Sequence, residues 1–239
     1  GGGGDGIWDD SNYGVALSGY DIGGSVASGW LSMATGYDSH ASGDHSTASG
    51  YESYASGESA VASGNDSSAS GDYSIASGRG SSAIGRSSIA SGNYSTASGD
   101  YSIASGDDSI ASGKESIASG DDSEAAGRYS IASGRGSTTI GKSSIASGGY
   151  STASGDYSVA SGNWSYATGK DSLSSGFNST ASGVGSIATG WNSTASGDYS
   201  VANGYYASAA GNNSMAQGRY VETSTDNSQE FGYRSDAAT

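Results

Sequence analysis

The chain of 239 residues has no cysteine and no proline, only 2 phenylalanines, and 9 basic against 24 acidic side chains. Each shortage removes a class of protein. Without cysteine there are no disulfides and no thiolate metal sites, and nothing follows about compartment, because a long repetitive fold does not need such staples. With 42 glycines and few large aliphatic residues, the chain cannot build a conventional globular core, so any interior is thin and made of small side chains. A formal net charge of -15 repels phosphate backbones and anionic membranes, so no nucleic-acid partner and no direct membrane insertion are expected. The acidity keeps a Ser/Gly-rich surface from aggregating. No apolar run approaches the ~20 residues of a membrane span. The N-terminus has no charged stretch followed by an apolar one, so the sequence reads as a mature product or a fragment of something longer. Catalysis has little to stand on. His40 and His45 are the only histidines and lack a partnering thiol or metal-ligand spacing, while the serines recur in phase with a repeat rather than as a lone nucleophile. No enzyme activity and no cofactor are expected.

Set against these absences is one dominant presence. Every seventh residue from Gly29 to Gly218 is glycine, and between the glycines the chain repeats Ala-Ser-Gly-x-x-Ser-x. A short fixed period over most of a chain is the mark of a solenoid, in which each repeat is a rung stacked on the last. A flexible Gly/Ser linker shares the composition but has no reason to hold phase or to keep Tyr and Ile at assigned places. In Gly71-Asp72-Tyr73-Ser74-Ile75-Ala76-Ser77-Gly78, the stretch Ser-x-Ala-x alternates with period two. It reads as a short strand with Ser and Ala facing one way and the other two side chains facing the opposite way. Gly and the two variable residues after it make the corner, where positive φ or close backbone approach excludes a Cβ.

The variable strand position shows that the true repeat is two heptads. In alternate heptads it holds Met33, Thr47, Val61, Ile75, Ile89, Ile103, Ile117, Ile131, Ile145, Val159, Leu173, Ile187, Val201 and Met215. In the others it holds a mixture such as His40, Tyr54, Ser68, Thr96, Glu124, Thr138 and Tyr166. One turn therefore has 14 residues and two short strands, which build two parallel sheets back to back over a Ser/Ala interior. Buried Ser hydroxyls must find partners, on the backbone or along the stack. The apolar row lies outside, and burying about a dozen β-branched side chains contributes on the order of 20 kcal/mol before ordering costs. The simplest closed arrangement brings identical rows together around a symmetry axis. Val61, Ile75, Ile89, Ile103, Ile117, Ile131, Ile145, Val159, Leu173, Ile187 and Val201 are the expected interface of a homo-oligomer.

The doubled Ser-x-Ala-x-Gly-x-x pattern, in units such as Tyr101-Ser102-Ile103-Ala104-Ser105-Gly106 and Asn192-Ser193-Thr194-Ala195-Ser196-Gly197, resembles the YadA-like head repeat of trimeric autotransporter adhesins. Similar repeats occur in phage fibres and other secreted bacterial proteins. The resemblance covers about residues 25–218. It implies an all-β, left-handed parallel β-roll that assembles as a homotrimer, binds on its outer flanks and performs no catalysis. The implied setting is extracellular, on a cell surface or in a virion fibre. Partners beyond the protein itself would be a host surface protein, a matrix component or a glycan. The adhesin plan's coiled-coil stalk and C-terminal membrane anchor are not in this sequence. The other reading is a structural filament module that stacks end to end without recognising a ligand. A flat threonine array of the ice-binding kind is a poorer match, because the polar row mixes His, Tyr, Ser, Thr and Glu.

Along the chain, residues 1–24 read as a lead and cap, 25–218 as the roll, and 219–239 as a C-terminal cap or junction with a final strand near Arg219–Thr223. Residues 79–106 and 135–162 are near copies, as whole-turn duplication would produce. On one corner, Asp72, Arg86, Asp100, Lys114, Arg128, Lys142, Asp156 and Lys170 suggest charge pairing between rungs, weak for exposed side chains. On the other corner, Phe177, Trp191 and Tyr205 share one position in successive turns, with Trp164, Tyr166 and Tyr206 nearby. These are the candidate ligand-binding residues, since flat exposed rings suit a sugar or a partner surface, although stacking that stiffens the roll is the plainer role. Asp107, Asp108, Asp121 and Asp122 lie earlier on that corner, where a hard cation such as Ca2+ would relieve repulsion, yet no Gly-Gly-x-Gly-x-Asp repeat is present and no metal is expected.

Overall fold

A computed structural model describes residues 8–9, 14–17 and 24–233. They fall into two compact units, residues 1–115 and 116–239. Each unit is a parallel β-solenoid with 14 residues per turn. In the first, Ile75 pairs with Ile89 and Ala76 with Ala90 on one sheet, while Ser82 pairs with Thr96 on the other. In the second, Ile131 pairs with Ile145 on the first sheet and Thr138 with Thr152 on the second. Most strands are two residues long, such as Ile75–Ala76 and Ser82–Ala83. They persist because each N–H is answered by the next rung: Ile75 donates to the Ser88 carbonyl and Ser77 to the Ala90 carbonyl, both at 2.9 Å. Stability in such a fold comes from neighbouring rungs rather than from strand length.

The interior is the expected one of small residues. Alanines such as Ala76, Ala90, Ala132 and Ala146 and serines such as Ser74, Ser88 and Ser130 are fully buried. The Ser32, Ser67, Ser95 and Ser144 hydroxyls donate to the carbonyl of the glycine three residues earlier at 2.7 Å, closing the corner. Others, including Ser74 and Ser88, have no partner in their present rotamer. Their backbone makes the same closing contact, Ser88 N–H to the Gly85 carbonyl at 3.2 Å, as Ser32 does to Gly29. Rotation about χ1 alone therefore brings the same acceptor within reach. Two interior positions that carry a hydroxyl in place of the usual Ala are each met by a serine. Thr139 donates to the Ser130 hydroxyl at 3.0 Å, and the Ser174 and Ser179 hydroxyls meet at 2.6 Å.

The corner divides its two demands between different residues. A Cβ added at Gly85 would overlap the carbonyl of Gly99 in the next rung, and the same collision recurs at Gly57, Gly141 and Gly155 with the glycine one turn later. These glycines are required by close approach of backbones, and most have ordinary φ. Positive φ falls instead on the second corner residue, from Leu31 (φ 53°) through Tyr73 (59°) and Ser143 (55°) to Asn227 (59°), nearly always with a side chain. That conformation costs roughly 1–2 kcal/mol per L-residue. The stack holds it in place, because the Tyr73 N–H donates to Glu58 of the preceding rung at 2.7 Å and Ser87 to Asp72 at 2.8 Å. Where this residue is glycine, an aromatic ring lies over it: a Cβ at Gly80 would stand 2.7 Å from the Tyr94 ring, and one at Gly136 2.7 Å from Tyr150.

At the C-terminal end the coil continues beyond Gly218. Glu222–Thr223 joins the second sheet and Gln229–Tyr233 the first, with Val221 and Thr223 buried where Ser and Ala stand elsewhere. Thr225 occupies the corner place of a glycine, and Gly211 packs against its carbonyl. The requirement for glycine runs one way, toward the following rung, and among the described residues none follows Thr225 at this corner. At the other end, Trp8–Asp9 pairs antiparallel with Gly14–Leu17, which runs parallel to Met33–Thr35. The rest of residues 1–23 lies outside the described residues.

Two outcomes follow for chemical and thermal melting. Gly85→Ala lowers stability by about 3 kcal/mol or more, because backbone must move, whereas Thr225→Ala changes it by less than about 0.5 kcal/mol. Ser87→Gly raises stability by about 0.5–1 kcal/mol by relieving the left-handed conformation, and Ser87→Val lowers it by about 1–2 kcal/mol.

Candidate functional site

Two features on the outside of the roll have the chemistry of binding rather than of packing within one chain. The first is the apolar row. Its side chains point away from the Ser/Ala interior, with Ile75 39% and Ile145 36% exposed and Ile89, Ile131 and Val159 half-buried. In the first unit, Val61, Ile75, Ile89 and Ile103 stand in register on successive rungs. In the second, Ile117, Ile131, Ile145, Val159, Leu173, Ile187 and Val201 do the same. The second sheet has no such row, since Glu124, Thr138, Thr152 and Tyr166 share its outer face.

The second feature is the aromatic corner of the second unit. Phe177 and Trp191 stack face to face, with centroids 4.2 Å apart and planes 18° from parallel. Trp164 stacks on Tyr150 of the rung before it at 4.7 Å and 18°. Tyr205 turns from that column into a cluster, edge-on to Tyr206 at 4.7 Å and to Tyr220 at 5.5 Å. Arg219 lies 5.2 Å from the Tyr205 ring and 5.1 Å from Tyr220. Loss of water around the Tyr205 phenol, with Tyr220 and Tyr206 beside it, raises its pKa above the ordinary value. The sequence-derived row is therefore brought together in pairs rather than as one continuous stack. Tyr166 stands apart, half-buried on the outer face of the second sheet.

The charged corner behaves differently from the expected ladder. Asp72, Asp100 and Asp156 do not pair with cations. Their carboxylates accept the backbone N–H of Glu58 (3.1 Å), Arg86 (3.0 Å) and Lys142 (2.8 Å) in the preceding rung. The N–H of the first corner residue has no place in the backbone ladder, and a carboxylate of the neighbouring rung supplies the acceptor it would otherwise lack. Asn163 and Asn212 do the same for Gly149 and Asp198, both at 2.9 Å. Two of the cations lie instead over tyrosines of the next rung, Arg86 over Tyr101 at 5.2 Å and Lys142 over Tyr157 at 5.7 Å, while Arg128 lies over its neighbour Tyr129 at 4.5 Å. The near copies repeat this, with Arg79 over Tyr94 and Arg135 over Tyr150. Lys170 does meet a carboxylate, that of its neighbour Asp171 at 3.9 Å.

Among the described residues, no three His, Cys, Asp or Glu side chains come together as a cation site. Asp107 is engaged by the Asn93 backbone N–H at 2.9 Å and by the Asn93 amide. Among the described residues, no helix is long and apolar enough to cross a membrane. Sequence reasoning passed over an aromatic group in the first unit: Tyr37 stacked on Tyr51 at 5.0 Å, Trp30 edge-on to His45, and His40 edge-on to Tyr54 while 3.3 Å from Asp38. The signal was there in the shared corner position of Tyr37 and Tyr51, one turn apart.

The fold and the repeat agree with a comparison against known families. The YadA head domain repeat, described as two copies per match, aligns at residues 27–53, 55–81, 76–102, 83–109, 111–137, 140–163, 167–193 and 195–219. No curated protein matches the chain at a significant level. Those segments take in most of the sequence, with their Ser/Ala interior and their glycine corners, and the chain belongs to the YadA head domain repeat family.

Proposed function

We propose that this chain is the adhesive head, or a receptor-binding fibre segment, of a protein displayed outside the cell, and that it works as a homotrimer. Membership of the head repeat family makes it an adhesin-type structural domain, of a kind not associated with catalysis. The observation that carries the trimer is the single apolar row. Side chains such as Ile75 and Ile145 stay well exposed in one chain, and isoleucines in register on successive rungs make a strip too apolar to leave in water. Three copies turned about one axis bury three identical strips at once and leave both corners of every chain free. The interface is formed in each unit by its own row, Val61 to Ile103 in the first and Ile117 to Val201 in the second, and recognition falls to the corners, where the aromatic group stands. The partner is a host surface protein, a matrix component or a glycan.

Sedimentation velocity tests the assembly. The parent sediments as a trimer, and Ile131→Asp combined with Ile145→Asp, which places unpaired charge in the seam at several kcal/mol per site, leaves folded monomer. An unchanged trimer removes the interface assignment. Concentration-dependent fibres in electron micrographs, in place of discrete particles, would favour a filament module instead. Adhesion is read with beads coated with the parent protein on host cells and on immobilised matrix proteins, where retention above uncoated beads is expected.

A further inference from the structure

The aromatic corner of the second unit differs from the rest of this acidic surface in carrying no charge. From Gly149 to Tyr206 its corner residues are glycine, asparagine or aromatic, bounded by Arg135 on one side and Arg219 on the other. The same corner in the first unit reads Asp38, Glu52, Asp66, Arg79 and Asp107. In a chain of net charge -15, such a stretch offers an ionic ligand little attraction, and water is the main competitor of a neutral one.

Within the stretch, short and flat side chains alternate in a particular way. Phe177 and Trp191 form a stacked pair at the first corner position, and Asn178 and Asn192 sit beside them at the second. Along that second column, Trp164 stands one rung before the asparagines and Tyr206 one rung after. The amide pair thus has the Phe177–Trp191 stack beside it and an aromatic residue on the rung at either end, a notch in the row of rings along this corner. Trp164, Phe177, Trp191 and Tyr206 are each 40–48% exposed. Three rungs at about 4.8 Å put about 14 Å between the backbones of Trp164 and Tyr206, the length of two to three pyranose rings. The Asn178 amide donates to Asn192 Oδ1 at 2.5 Å. That bond fixes both side chains and leaves the Asn178 carbonyl oxygen and the Asn192 amino group without a partner among the described residues.

Building on the adhesive reading, we infer that this notch binds a neutral oligosaccharide. A pyranose presents a C–H face that stacks on a flat ring and a rim of hydroxyls that both donate and accept. The notch supplies both in fixed positions, from rings already ordered by stacking and from an amide pair with one free donor and one free acceptor. The flanking outward positions of both sheets, such as Ser175, Thr189, Thr180 and Thr194, add hydroxyls and no charge.

The test uses the full chain on an array that pairs neutral oligosaccharides (lacto-N-tetraose, maltotetraose, triacetylchitotriose) with sialylated and sulfated ones. At least one neutral sugar is retained, and its binding weakens by about tenfold or more in Trp191→Ala and in Asn192→Ala. Tyr37→Ala, in the other unit, leaves it unchanged. Asn192→Ala removes one half-buried amide at a left-handed corner and lowers the melting temperature by only a few degrees, so it reports on binding even if Trp191→Ala unfolds. Retention of anionic sugars alone, of no sugar, or of neutral sugars with undiminished affinity in both variants overturns the inference. The bead assay on cells and matrix proteins separates the two levels. Beads that adhere while the array stays blank remove the sugar and leave the adhesive reading; failure in both assays removes both.

Discussion

Each rung of this protein approaches the next so closely at its corners that a β-carbon cannot fit between them. Gly85 faces the carbonyl of Gly99 in this way, as Gly141 faces Gly155, and the rest of the structure depends on that contact. It sets the seven-residue period, forces the chain to turn within three residues, and limits the interior to Ser and Ala. An interior that thin cannot shelter large side chains. The isoleucines and valines must therefore go outside, and a fold that is complete within one chain is left with a strip of exposed apolar surface.

A second economy of the fold lies in the corner residues. Backbone amides that the ladder misses are taken by Asp and Asn side chains of the next rung, as Asp72 takes Glu58 and Asp156 takes Lys142. The left-handed residue beside them is most often an aromatic or a small polar one, whose own N–H is secured from the rung before. Tyrosines placed there then lie within reach of cations one turn earlier, as with Arg79 and Tyr94. Hydrogen bonding settles the backbone, and side-chain stacking adds to it.

The parts of this that were legible in the sequence are those that repeat. The glycine period gave the rungs, the Ser/Ala alternation gave the interior, and the contrast between the Ile75 row and the Thr96 row gave a turn of two heptads. What stayed hidden depends on contacts between residues 14 or 15 apart in geometry that no single heptad displays. Alternating Asp and Lys looked like ion pairing because nothing in the sequence says which backbone N–H lacks a partner. Positive φ could not be read at Tyr73 or Tyr101, since tyrosine is not a residue type that favours it, and only the stack imposes it there. The aromatic corner was visible as a row, but Tyr205 belongs with Tyr206, Tyr220 and Arg219 rather than with Trp191.

Thr225 gives the coil a direction. Each corner glycine makes room for the rung after it, whereas a Cβ at such a corner, as Thr225 carries, stands where the next backbone would come. A further turn laid on this one in the same register, whether from this chain or from a second molecule, would meet that methyl and hydroxyl at one corner. The roll can thus be lengthened by inserting whole turns anywhere among its glycines, while a turn stacked directly on Thr225 would have to shift the backbone at that corner.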